Sequence, residues 1–434
     1  MNVAVGLIGL AVLLLLLALQ VPIAVALILV SFCGIWYMLG LAPAIGILSA
    51  TPYEFVASWT LSAIPMFLLM GFVTYHAGLT TGLFDAAKVV VRRVPGGLGL
   101  AAIFACTGFA AVSGSSLACA ATMGRIAIPE MVRAGYKPSF SAGILAAGGT
   151  VGALIPPSIL MIVYGVFAET SVTKVFLGGI SVGILTAASY CLVIILVALL
   201  RKDIIPARAG EDGQLDARGV LRDIVPLIVL ILLVFGGMFG GIFTATEAGA
   251  IGAAGAIVIA VILRRLSWPA FRRALFETLG TCAALFIVGA GAVMLTRFLG
   301  LSGVAGFINE FFSGLDIGYF GLMAVIVLLY LVIGMFLEPF GAMLITLPIL
   351  MPLLATQGID RVWFGVLLVK LLEVGMITPP LGMNVFVIRS VAAEHVSLAG
   401  IFRGALLFIL ADIVVIAAMI LWPDLVMFLP DILG

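Results

Sequence analysis

This 434-residue sequence is short of charge: Asp, Glu, Lys and Arg together make up 9 % of it. Soluble domains carry about 25 %. With 64 % hydrophobic residues, a water-soluble fold would expose far more apolar surface than its polar side chains could cover, so that class is excluded. Histidine is almost absent, with His76 and His395 the only two, which leaves little material for general-base chemistry. The net charge is +1, and nothing resembles the basic stripe of a nucleic-acid binder. Five cysteines (Cys33, Cys106, Cys119, Cys191, Cys282) lie in apolar stretches without metal-like spacing, and read as small buried hydrophobes.

The gaps between charges are more informative than their number. None precedes Glu54, and none falls between Arg93 and Arg125, Lys137 and Glu169, Lys174 and Arg201, Asp223 and Glu247, Asp316 and Glu338, or Glu373 and Arg389. A membrane-crossing helix needs about 20 apolar residues, and these windows accommodate about ten to twelve. The chain therefore reads as an all-α polytopic membrane protein embedded in a lipid bilayer. The first 20 residues lack a basic n-region and a small-residue cleavage site, and read as a retained span rather than a signal peptide.

Basic residues gather in two connecting segments, Arg201–Asp223 and Arg264–Arg273, which the positive-inside rule places in the cytoplasm. The organisation expected is an N-terminal half over 1–200, a cytoplasmic loop over 201–223, a helix pair over 224–263 turning at GGIFTATEAG, and a C-terminal half over 264–434. Setting Pro129 against Pro352, a constant offset of 223 also aligns Gly135 with Gly358, Gly152 with Gly375, Pro156 with Pro379 and Pro157 with Pro380. Glycine and proline mark backbone breaks, which a structural repeat has to preserve.

Four segments interrupt the helical pattern inside apolar sequence: Ala110–Pro129, Ala146–Ser158, Ile333–Pro352 and Leu371–Asn384. A Pro-Pro pair cannot continue a helix. Backbone groups freed this way survive in a membrane only when buried in protein or lining a cavity. Matched breaks in two halves are the sequence sign of a transport site. Freed carbonyls beside Ser and Thr hydroxyls make an oxygen environment suited to Na⁺, and half-helix N-termini can hold a carboxylate. The Na⁺ candidates are Ser113, Gly114, Ser115, Ser116, Gly149, Thr150 and Gly152, then Gly334, Glu338, Gly375 and Thr378. Arg125, Ser158 and Asn384 are the candidates for substrate contact. Against each stands a plain alternative, since small residues also let membrane helices pack closely and hydroxyls often bond their own helix.

Intramembrane charges are functional hypotheses by default. Lys370 and Glu373, three residues apart, are expected to pair on one helix face. Arg125 is expected to pair with Glu130 or an acidic residue of the other half, or to meet a substrate carboxylate. Glu247 reads as a solvated or capping residue. An intramembrane serine hydrolase would need a base near Ser113, Ser115 or Ser116, and His76 is the only histidine in that half.

The stretches IPMFLLMGF (64–72), PGGLGLAAIFACTGFAAVSGSS (95–116), AAGGTVGALIPPSILMIVYG (146–165), FTATEAGAIGA (243–253), FLEPFGAMLITLPILMP (336–352) and GIDRVWFGVLLVKLLEVGMITPPLGMNVFV (358–387) resemble the large membrane subunit of tripartite ATP-independent periplasmic (TRAP) transporters. That resemblance implies an elevator-type transporter with two re-entrant helical hairpins, at about 113–135 and 338–358. It also implies Na⁺ as coupling ion with no other cofactor, one ion site around Ser113–Ser116 and Gly149–Gly152, and a second around Gly334–Glu338 and Gly375–Thr378. The implied partners are a small four-helix membrane subunit on a separate polypeptide and a periplasmic substrate-binding protein. The implied location is the bacterial inner membrane, and the implied cargo a small organic anion. Arg125 and Glu338 depart from the family pattern, in which a small or uncharged residue and often Asp stand at those places. A standalone Na⁺/anion symporter is the nearest alternative.

Overall fold

The computed structural model of the protein describes residues 2–91, 93–206, 217–314 and 318–434. Among the described residues every regular element is helical. α1 (Val3–Ala18), α2 (Ile23–Leu39) and α3 (Leu41–Val56) lead through a short 3₁₀ turn to α4 (Ala63–His76) and α5 (Leu83–Val91). Then come α6 (Gly97–Ser113), α7 (Ser116–Arg133), α8 (Pro138–Thr150), α9 (Ile159–Phe167) and α10 (Val172–Leu200). The second part holds α11 (Ala217–Phe239), α12 (Ala245–Ile262), α13 (Trp268–Ser302), α14 (Val304–Gly314), α15 (Tyr319–Phe336) and α16 (Pro339–Thr356). It closes with α17 (Arg361–Gly375), α18 (Met383–Val391), α19 (Leu398–Leu421) and α20 (Asp424–Leu433).

Seven of these helical segments are long and apolar enough to cross a membrane by length and composition, and four shorter apolar helices accompany them. That is fewer full-length spans than the charge-free windows allow, because Gly and Pro breaks divide several windows into half-length pieces. Large apolar side chains point outward, as with Ile8 at 63 % exposure on α1 and Val414 at 68 % on α19, the pattern of a surface solvated by lipid rather than water. The turn predicted within 224–263 lies between α11 and α12, where Thr244 and Glu247 form a reciprocal capping box. Glu247 thus caps a helix, as expected of it. Residues 207–216 of the predicted 201–223 loop lie outside the described residues, and α11 already begins at Ala217 within that stretch.

The helices sort into two groups. α12 packs on α4, and α13 runs along α2, α3 and α4, locked to α3 by Arg297, which donates to Glu54 at 2.7 Å and Thr51 at 2.9 Å. The other group gathers α6–α10 with α15–α20: α8 packs on α7 and α19, α18 on α7, and α17 on α10 and α15. Gly143 and Gly404 leave no room for a methyl between α8 and α19, the close approach that small residues permit in membranes.

The 223-residue offset holds in the backbone. α7 and α16 occupy matching positions from end to end. Both start on a capped residue, Ser115 accepting from the Ala118 amide and Glu338 from the Gly341 amide, each at 3.3 Å. Both end on a left-handed glycine, Gly135 at φ +88° and Gly358 at φ +65°. The closing bonds match too, from Tyr136 to Met131 and from Ile359 to Leu354, the Schellman arrangement. Pro156–Pro157 and Pro379–Pro380, also equivalent, are both cis.

Candidate functional site

Each half contributes a hairpin tip and a broken helix. In the first, α6 and α7 fold back around Gly114, which sits at φ +61° with the Pro157 carbonyl oxygen directly against its α-carbon. A β-carbon has no place there, so glycine is required both for the turn and for seating the tip on the Pro-Pro break. The Cys119 thiol reaches the Cys106 carbonyl of the opposite arm at 3.6 Å. In the second half, α15 and α16 fold back around Leu337 and Glu338, and Tyr330 bonds Thr346 across the arms. The ranges 113–135 and 338–358 expected for the hairpins therefore cover the tips and the C-terminal arms, while α6 and α15 supply the N-terminal arms.

Of the residues expected at the ion sites, the backbones of several gather in two clusters, while the Thr150 hydroxyl turns away to Ala147 and Tyr190. Gly149 and Gly152 face the Ser115–Ser116 backbone, and a β-carbon on either would lie 3.1–3.5 Å from its atoms. Gly375 abuts Gly334 more tightly, with a β-carbon 2.7 Å from the Gly334 backbone. Beside it the Thr378 hydroxyl donates to the Val374 carbonyl at 2.7 Å. The clusters touch across the halves. The Ser116 hydroxyl donates to Glu373 Oε2 at 2.7 Å, and the Asn384 amide donates to the Ala146 carbonyl at 3.4 Å.

A cavity of about 700 Å³ opens beside both tips, lined by Ser113–Ser116, Glu338, Glu373 and Met376 on one side and by Tyr75 of α4 and Glu277 and Thr281 of α13 on the other. It therefore lies between the two helix groups. Three buried oxygens of this region have no hydrogen-bond partner among the described residues: Ser113 Oγ, Glu373 Oε1 and Asn384 Oδ1. Buried polar atoms are otherwise almost always satisfied, and exceptions cluster where a ligand, ion or water completes them.

Some residues stand apart from the cavity. Arg125 is exposed on α7 and makes no ion pair among the described residues; Glu130 is bound instead by Lys88 of α5 at 2.9 Å. Ser158 is fully buried and caps α9 through the Met161 amide at 3.3 Å. The expected pairing of Lys370 with Glu373 is not formed. Lys370 is drawn to Asp412 on α19, both side chains fully buried, because the two residues on α17 face different neighbours, Glu373 the hairpin tip and Lys370 α10 and α19. Asp412 went unread in the sequence although it stands alone in the apolar run Leu406–Leu421, the very signal that intramembrane charges provide. His76 pairs with Glu277 at 3.0 Å and, among the described residues, hydrogen-bonds no serine.

The model of the tripartite ATP-independent periplasmic transporter DctM component matches residues 10–425. The chain belongs to that family. It is 34 % identical over 408 residues to the C4-dicarboxylate TRAP transporter large permease protein DctM of Pseudomonas aeruginosa, covering 91 % of this chain and 94 % of that one. It is 29 % identical to the sialic acid TRAP transporter large permease protein SiaM of Vibrio cholerae, over 87 % of each chain. An isethionate TRAP transporter permease protein DctMQ of Oleidesulfovibrio alaskensis is 35 % identical, the match covering 82 % of this chain and 57 % of that one. Among solved structures, the YdaH transporter of Alcanivorax borkumensis shares the fold at TM-score 0.64 and 17 % identity, over 89 % of each chain. The DctM-family chain is a multi-pass membrane transport protein.

Proposed function

We propose that this DctM-family chain takes up a small organic anion, a carboxylate, by Na⁺-coupled secondary transport across the bacterial inner membrane. In this reading it works with a small four-helix membrane subunit and a periplasmic substrate-binding protein. The observation that carries the reading is the meeting of two broken-helix clusters at one cavity, with Ser113 Oγ and Glu373 Oε1 unsatisfied at its edge. Oxygen-only ligand sets of carbonyls and hydroxyls suit a hard monovalent cation. Backbone around Ser113–Ser116 with Gly149 and Gly152 would hold one Na⁺, and backbone around Gly334–Glu338 with Gly375 and Thr378 the other. The substrate would sit in the cavity between them, close to the N-termini of α7 and α16.

The grouping of helices gives the motion its parts. The group of α6–α10 and α15–α20 would move as the carrier against α1–α4 and α11–α13, in the manner of an elevator. Ion and substrate bias that movement only through their different affinities for its two end states. The relatives are named for a C4-dicarboxylate, sialic acid and isethionate, which supports an organic anion as cargo.

The test is uptake of a radiolabelled carboxylate panel into proteoliposomes holding the chain with its small subunit, with and without the binding protein and an inward Na⁺ gradient. Uptake that requires both is the expected result. Uptake driven by the gradient without the binding protein would establish a standalone symporter, and uptake indifferent to Na⁺ would overturn the coupling.

A further inference from the structure

Next to the first cluster, and outside the lining of the cavity, lies a polar network that the transport reading does not use. It joins four helices through side chains that are all fully buried: Thr150 at the end of α8, Thr186 and Tyr190 on α10, Lys370 on α17 and Asp412 on α19. The Lys370 ammonium meets Asp412 and donates to the Thr186 hydroxyl at 3.1 Å. The Tyr190 hydroxyl lies 2.8 Å from both Asp412 oxygens, sharing its one proton between them, and 3.2 Å from the Thr150 hydroxyl. Thr150 itself donates to the Ala147 carbonyl at 2.7 Å. With the Tyr190 proton on Asp412, the Tyr190 oxygen can only accept from Thr150, whose single proton is shared between it and the Ala147 carbonyl.

The placement of the two ends of the network is what gives it a role. Thr150 stands between Gly149 and Gly152, the two residues that face the Ser115–Ser116 backbone. Lys370 stands three residues, under one helical turn, before Glu373, which holds Ser116 from the other side. One hydrogen-bonded chain thus fixes both broken helices relative to each other and to the hairpin tip. Lys370 also lies 5.7 Å from the centre of the Tyr190 ring, and Phe408 packs edge-on against that ring at 5.3 Å, so the tyrosine has little freedom to adopt another position. A buried ion pair is poor evidence for stability, because desolvation offsets most of the attraction, whereas such pairs are well attested as devices that fix register.

We infer that Tyr190, Asp412 and Lys370 are positioning residues for the first cation site: they hold the end of α8 at the distance from the hairpin tip at which the cage of oxygens closes on Na⁺. This rests on the Na⁺-coupled reading above. None of the three touches the cavity, so they act through Thr150 and through α17. Tyr190 is the sensitive link, because among the described residues its hydroxyl is what joins the charge pair to α8 by hydrogen bonds.

The test is a Na⁺ titration of initial uptake rate at saturating substrate, in proteoliposomes with the full system, together with thermal unfolding of each purified variant. Tyr190→Phe leaves the Lys370–Asp412 pair in place and removes only the hydroxyl. It should raise the half-saturating Na⁺ concentration by about three- to tenfold, the effect of one hydrogen bond, with the maximal rate and the unfolding temperature nearly unchanged. Lys370→Met with Asp412→Leu removes both charges without leaving one unpaired, and should raise the half-saturating concentration at least as much. Either variant showing a wild-type Na⁺ curve would overturn the inference. So would a loss of unfolding temperature and maximal rate with Na⁺ affinity unmoved, the mark of a purely structural brace. If the unmodified chain itself shows no Na⁺ dependence, the Na⁺-coupled reading falls first and this inference falls with it; a Na⁺-dependent parent with unmoved variants sinks this inference alone.

Discussion

The two repeats share a backbone and differ in chemistry. Equivalent helices begin on equivalent caps and end on equivalent left-handed glycines, yet Ser115 of the first repeat is Glu338 in the second, Thr150 is Glu373, and Ala147 is Lys370. Hydroxyls and small side chains occupy the first set of positions, and ionisable groups the second. Only geometry has been held constant, because breaks and turns must recur for the tips to meet, while polarity was free to diverge. The unequal division places the charges on one broken helix and has them reach across to the other, Glu373 to Ser116 and Lys370, through Asp412 and Tyr190, to Thr150.

The comparison predicts unequal effects at matched positions. The largest is expected at Glu373. Replacement by Leu removes the acceptor of the Ser116 hydroxyl and leaves that hydroxyl unpartnered, a cost of about 1–3 kcal/mol, so uptake should fall by about fivefold or more. Thr150→Val, at the matching position, should cost less. Equal losses measured in the same uptake assay would contradict a division of labour between the repeats.

Glycine pairs sharpen the point. A methyl at Gly375 would press on the Gly334 backbone at 2.7 Å, where nothing can yield, whereas at Gly152 the nearest atom is 3.4 Å away. Gly375→Ala should therefore destabilise by about 1–3 kcal/mol, visible as a lowered unfolding temperature, and Gly152→Ala by clearly less. The order of the two would have to invert for the packing description to fail.

The caps come next. Ser115→Ala should cost about 1 kcal/mol, and Glu338→Gln less, because the amide oxygen can still accept from Gly341. Thermal unfolding of the two variants side by side would show it.

The smallest effect lies outside the repeats. Lys137 and Arg201 hold the Asp203 carboxyl well below the usual carboxylate range, chiefly through its hydrogen bond from Arg201 and then that from Lys137. A depressed folded pKa stabilises above the unfolded value and loses that contribution as pH falls through the folded one. The pair is exposed and screened, so Asp203→Asn should barely move the unfolding temperature at neutral pH. Any difference should vanish in high salt or well below pH 4, and a large shift at neutral pH would show that the bridge is more than a surface contact.

The breaks were legible in the sequence because only Gly and Pro make them. The paired landmarks at Gly135 and Gly358 and at the two Pro-Pro pairs turned out to mark matching left-handed caps and matching cis bonds. The N-terminal hairpin arms were not legible, since α6 and α15 are ordinary apolar helices whose return is set by a tip two residues long. Partner choice was equally hidden. Spacing put Lys370 with Glu373, but the close approach of α8 and α19 at Gly143 and Gly404 brings Asp412 within reach, and no local pattern encodes that approach. Arg125 drew attention as a charge beside a break and sits exposed on α7, a reminder that nearness in sequence to a site is not entry into it.

The most direct test of the account is thermal unfolding of the purified chain across a Na⁺ series at constant ionic strength, with K⁺ as the balancing ion. A ligand that binds only the folded state stabilises it by RT ln(1 + [L]/Kd), about 2.7 kcal/mol at 100 times Kd. The account predicts an unfolding temperature that climbs with Na⁺ and a climb that is blunted in Gly375→Ala and in Ser116→Ala. Identical unfolding in Na⁺ and K⁺ would contradict it.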